Sequence, residues 1–133
     1  MPFVPALAAL LMLTAPAVSQ TSAERGEAKL AKLLAGRVAG KPVDCVSLRN
    51  LRSSEIIKDT AIVYGSGRTL YVNRLGEGKA WSIDDDDILL TDTHSSQLCS
   101  IDTVRLIDRT SHTPSGFVFL GEFVPYTRVA KAN

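Results

Sequence analysis

The stretch AIVYGSGRTLYVNR, residues 61–74, decides the fold class. Two runs rich in β-branched and aromatic residues, 61–64 and 69–74, flank Gly65-Ser66-Gly67. Glycine takes the positive φ angles that tight connections demand, so the segment reads as two antiparallel strands joined by a hairpin. Side chains alternate along an extended chain, which puts Leu70 and Val72 on one face and Tyr71 and Asn73 on the other.

The same signature recurs on both sides. Residues 45–51 and 55–58 precede the hairpin, and residues 88–91, 103–107 and 117–124 follow it. Gly76 and Gly78 mark the reversal after the hairpin. In the last run Phe117, Phe119 and Phe123 fall on one face and Val118, Leu120 and Val124 on the other. That pattern predicts a strand covered on both sides. Six to seven short strands at this spacing predict a mainly β protein, a small antiparallel β-barrel or sandwich.

One helix precedes the strands. Thr21 with Glu24 three residues on is a capping-box pattern. Ala28, Leu30, Ala31, Leu33 and Leu34 form a thin apolar stripe, which predicts loose docking at most. Gly36 is a natural stop, and Gly40 and Pro42 prevent continuation. Gly26 weakens the first turn by about 1 kcal/mol relative to alanine. Residues 20–42 therefore read as an N-terminal helix and linker. Residues 43–128 read as a single β-rich domain, and 129–133 as a C-terminal tail.

Residues 1–19 carry no charged side chain, and residues 4–13 are apolar apart from Pro5. A run this short does not span a bilayer core, which takes about 20 apolar residues, but it suits the apolar region of a signal peptide. Ala17 and Ser19 place cleavage before Gln20, and Ala15 and Ala17 offer a second option before Val18. The expectation is a signal peptide at 1–19 and a periplasmic or secreted mature chain. No second long apolar run follows, so no stable membrane insertion is expected after its removal.

Cys45 and Cys99 are the only cysteines. In an exported chain a single pair is a disulfide candidate. Closing the long loop between them stabilises by about 4 kcal/mol in the chain-entropy model. No Cys-x-x-Cys redox motif is present.

The blocks VDCVSLRNLRSSEII, RTLYVNRL, DDDDILLTDTHSSQLCSIDTVRLIDRT and GFVFLGEFVPYTR resemble a group of small exported proteins of Gram-negative bacteria with no assigned function. The resemblance runs from about Val43 to Arg128. It implies a periplasmic or secreted domain, supports a structural role for Cys45 and Cys99, and carries over no catalytic residue.

The net charge is +1, which argues against a dedicated nucleic-acid binder, whose basic excess would show. The charge is uneven. Residues 20–83 hold eleven basic and six acidic side chains, and residues 84–133 hold four and eight. Arg49, Arg52, Lys58, Arg68 and Arg74 fall in or beside the first strands. Either they form a basic face for an unknown protein or anionic envelope component, or the two halves pair within one sheet and cancel. Cancellation is the expected outcome, because paired strands bring opposite charges together.

The chemical constellations are weak. Asp84-Asp85-Asp86-Asp87 offers hard oxygen ligands, but an EF-hand loop begun at Asp84 would hold Leu89 and Ser95 where it needs Gly and Glu. A solvated acidic turn is expected, with cation binding left open. His94 and His112 are the only histidines, and Asp92 lies two residues before His94. A triad needs a nucleophile activated by His and a His oriented by a carboxylate. Nothing marks which serine would serve, and Gly65-Ser66-Gly67 is not a nucleophile elbow. Both histidines are expected in exposed turns. No zinc spacing, P-loop or dinucleotide loop is present. No catalytic, metal or cofactor-binding residue is assigned. The function expected is a non-catalytic periplasmic binding or accessory domain. The alternatives are a small hydrolase using His94 or His112, or an envelope-structure or inhibitor-type protein.

Overall fold

The computed structural model describes residues 2–3, 12–76, 83–93 and 95–129. Most of the apolar N-terminal run, Gly78, His94 and residues 130–133 lie outside the described residues. Among the described residues, one α-helix and ten strands form three layers.

The middle layer is a five-stranded antiparallel sheet. Its strands are β1 (Arg37–Ala39), β3 (Ser54–Ile57), β4 (Ala61–Tyr64), β5 (Thr69–Asn73) and β10 (Phe123–Arg128), in the order β1-β10-β5-β4-β3. Helix α1 (Ser22–Leu33) covers one face. Two smaller sheets cover the other: β2 (Cys45–Ser47) with β7 (Gln97–Cys99), and β8 (Thr103–Asp108) between β6 (Asp87–Thr91) and β9 (Pro114–Phe119). Among the described residues none of the three sheets closes into a barrel, so of the two expected architectures the arrangement fits the sandwich.

Both faces of the middle sheet are buried, which explains why β4 is apolar throughout rather than alternating. Ile62, Tyr64 and Phe123 face the small sheets and pack with Val46, Leu98, Val104, Leu106 and Val118. Ala61, Val63, Leu70 and Val72 face the helix and pack with Leu30. The alternation expected for β5 holds. Leu70 and Val72 turn to the helix, while Tyr71 packs on the other core and Asn73 is buried. Gly65 and Gly67 sit at φ +98° and +102°, making the hairpin turn between β4 and β5.

Several expectations are corrected. Residues 45–51 are not one strand: after β2 the chain winds into a 3-10 turn, Leu48–Leu51, in which the Arg49 amide donates to the capping Ser47 hydroxyl. The run 117–124 is not one strand either. It breaks at Gly121 into β9 and β10, which belong to different sheets. Phe123 is therefore fully buried while Phe117 and Phe119 stay 60% and 45% exposed. The stretch read as a linker contains β1, hydrogen-bonded to β10, so helix and β1 are integral to the packed unit. The helix stripe is also different. Gly26 and Leu30 are buried and Leu33 and Leu34 half-buried, whereas Ala28 and Ala31 face solvent. The expected cap forms, with the Glu24 amide donating to Thr21 Oγ1 at 3.2 Å.

Candidate anion-binding groove

The 3-10 turn after β2 and the hairpin loop between β4 and β5 meet at one end of the middle sheet. The Gly65 amide donates to the Ser53 carbonyl at 2.8 Å, which holds the two segments together. Between them lies an open groove of about 480 Å³. Arg49, Asn50 and Arg52 form one wall; Ser66, Thr69 and Tyr71 form the other side. Ser47 caps the turn and aims Arg49 and Arg52 outward, because a 3-10 turn repeats every three residues. The Thr69 and Thr127 hydroxyls, 3.1 Å apart across β5 and β10, fix the floor. Among the described residues, the lining holds guanidinium, amide and hydroxyl groups and no carboxylate.

Three further cations reach the same end. Arg68 sits in the hairpin loop, and the register of β10 against β5 and β1 brings Arg128 and Arg37 beside it. Arg37 Nη1 donates to the Arg68 carbonyl at 2.7 Å and Arg37 Nη2 to the Gly67 carbonyl at 2.7 Å. These bonds tie the loop to β1. Partial burial, and then the charge of Arg128, push the Arg37 guanidinium below its ordinary value. It stays protonated, as arginine does in proteins. Among the described residues, no carboxylate forms an ion pair with Arg37, Arg49, Arg52, Arg68 or Arg128.

The expected cancellation between the halves is therefore corrected. Lys58 pairs with Asp84 at 3.3 Å and is the only ion pair among the described residues that joins the two halves. The others stay within a half: Lys29–Glu55, Arg74–Glu27, Arg105–Asp92 and Arg109–Asp86. The reason is topological. β3, β4 and β5 pair with one another, and β6, β8 and β9 do the same; β10 and β7, the second-half strands that cross to β1, β5 and β2, carry no carboxylate. Of the five basic residues noted in the sequence, Arg49 and Arg52 line the groove and Arg68 lies in the hairpin loop beside it. Lys58 and Arg74 lie at the opposite end of their strands, already paired. Sequence reasoning missed Arg37 and Arg128, because only strand pairing brings residues so far apart in the chain together.

The remaining candidates lie elsewhere. Cys45 and Cys99 stand opposite each other in the β2–β7 register and form a disulfide. Asp84 to Asp87 make a turn in which the Asp86 amide donates to Asp84 Oδ1 and the Asp84 amide to Asp87 Oδ2. Hydrogen bonds from Asp86, then Asp85 and Lys58, hold the Asp84 carboxyl below its ordinary value. Among the described residues, no three His, Cys, Asp or Glu side chains gather as a metal site. His112 is exposed at φ 57° in the turn between β8 and β9. The neighbouring Ser111 hydroxyl contacts Asp108 and Thr113, not an imidazole. Asp92 lies 3.9 Å from Arg105. His94 is outside the described residues.

The chain matches no protein-family model, no curated protein and no solved structure. What the groove can do is read from its own chemistry: planar guanidinium groups with nearby hydroxyls suit phosphate or carboxylate oxygens.

Proposed function

We propose that this chain is a non-catalytic exported binding domain that takes an anionic partner at its arginine end. The observation that carries this reading is the convergence of Arg49, Arg52, Arg68, Arg37 and Arg128 around one hairpin loop, without a carboxylate partner among the described residues. Like charges held together weaken the fold by mutual repulsion, and a partner that neutralises them recovers that free energy. Export is supported by the apolar run at 4–13 with small residues at Ala17 and Ser19, and by the Cys45–Cys99 bond.

Retention of the full chain on immobilised heparin tests the reading. The wild type is expected to bind at low salt and elute as salt screens the arginines. The R49Q/R52Q/R68Q variant is expected to elute at clearly lower salt than K58Q/R105Q/R109Q, which loses the same three charges elsewhere. Equal elution of the two variants, or no retention of the wild type, sinks the proposal.

A further inference from the structure

The arginine end also carries exposed aliphatic surface. Val38 on β1 and Val129 just after β10 are each 60% exposed, and they sit next to Arg37 and Arg128 in the chain. Beside them a second open hollow, about 700 Å³, lies between the end of α1, β1 and the end of β10. Leu33, Ala35 and Val129 give it an apolar lining, and Lys32, Arg37 and Arg128 surround that lining with positive charge. Ser66, Gly67 and Arg68 are exposed at the hairpin tip between this hollow and the groove.

The pairing of cations with aliphatic side chains narrows the class of partner. A single-stranded nucleic acid is held by stacking on aromatic rings as well as by charge. A tight protein interface centres on Trp, Tyr and Arg packed together in desolvated pockets, whereas the hollows here are open. Among the described residues, the exposed aromatics are Phe3 near the N-terminus and Phe117 and Phe119 on β9, in the other layer; Tyr71 and Tyr126 at the arginine end are half-buried rather than exposed. Aliphatic side chains ringed by lysine and arginine suit the boundary between phosphate headgroups and acyl chains.

Building on the anion-binding reading, we infer that the arginine end docks peripherally on an anionic phospholipid surface. Arg49, Arg52, Arg68 and Arg128 meet headgroup phosphates, and Val38 and Val129 enter the upper acyl region. Arg37 holds the hairpin tip in place through its carbonyl contacts.

The test is flotation of the full chain with vesicles of phosphatidylcholine alone or with one-third phosphatidylglycerol. The N-terminal apolar run is present in every variant, so its contribution cancels in the comparison. A basic residue near an anionic surface strengthens adsorption about fivefold, so R49Q/R52Q/R68Q should weaken binding to the anionic vesicles about 100-fold. Raised salt should weaken it too. V38S/V129S should weaken vesicle binding and leave heparin retention unchanged. Circular dichroism melts on each variant exclude loss of fold. Equal binding to both vesicle types overturns the inference, as does heparin retention without vesicle binding; the latter leaves the anion-binding function standing. Absence of both overturns both.

Discussion

Gly26 sits where α1 runs closest to the middle sheet. A β-carbon built there would collide with the side chain of Thr60 in the β3–β4 turn. Thr60 is itself buried and its hydroxyl donates to the Lys58 carbonyl, so it has little freedom to move. By intrinsic propensity, alanine at this position gains about 1 kcal/mol of helix stability. The contact reverses the sign. G26A is expected to destabilise the protein by about 1–3 kcal/mol, the range for forcing extra volume into a packed contact. Urea unfolding checks it, and an unchanged or raised midpoint contradicts the close-packing account. Asn73 shows the complementary case of a buried polar residue with its partners in place. Its side chain donates to the Gly121 carbonyl and accepts from the Gly121 and Leu75 amides. It thereby fixes the turn that passes the chain from β9 to β10.

Among the elements, the β8–β9 hairpin depends most visibly on one carboxylate. Asp108 accepts from the Ser111 amide at 2.8 Å, the Thr110 amide at 2.9 Å and the Ser111 hydroxyl at 3.1 Å. Ser111, through its amide and then its hydroxyl, is the main cause holding the Asp108 carboxyl below its ordinary value of 3.8. The hydrogen bond from Arg74 lowers Glu27 in the same way and ties α1 to the end of β5. A carboxyl depressed by folding contributes stability above its unfolded value and loses it as pH falls through its folded value. The expected outcome is a Thr110 and Ser111 amide titration, followed by NMR, with its midpoint below 3.8. A midpoint at or above that value would show that the carboxylate does not hold the turn. Exposure and screening keep the Arg74–Glu27 pair a minor contributor to the global stability.

For the whole molecule, the Cys45–Cys99 bond matters more than any surface pair. It links positions 54 residues apart and joins β2 to β7, the two strands of the small sheet that packs on one core. β2 and β7 are only three residues each, too short to hold a sheet by hydrogen bonds alone. Reduction, or the C45A/C99A variant, is expected to lower unfolding stability by about 4 kcal/mol in the chain-entropy model. Equilibrium unfolding in urea with and without reductant measures it. Identical curves would show that the bond constrains nothing in the unfolded chain. The charge distribution also belongs to this scale. The Gly65–Arg68 end is cationic, while the Asp84–Asp87 turn contacts Lys58 in the β3–β4 turn, at the other end of β4.

The sequence alone determined the local features. The β4–β5 hairpin was legible because Gly65 and Gly67 stand between two β-rich runs, and the helix start because Thr21 caps it. The cysteine pair was legible because a single pair in a chain expected to be exported has few other uses. The short strands β1 and β7 were not legible, since three residues such as Arg37–Ala39 or Gln97–Cys99 are extended only because a partner strand satisfies their amides. The break at Gly121 was hidden because phenylalanines on both sides of it mimic one continuous strand. The helix face was misread because Gly26 counts as neutral in an apolar pattern, yet is buried for its lack of a side chain. The candidate site depended most on tertiary structure. Arg49 and Arg52 were visible as basic residues, but their meeting with Arg37, Arg68 and Arg128 follows from antiparallel register. Register is a property of paired strands, and no local stretch of chain encodes which distant residues it will bring together.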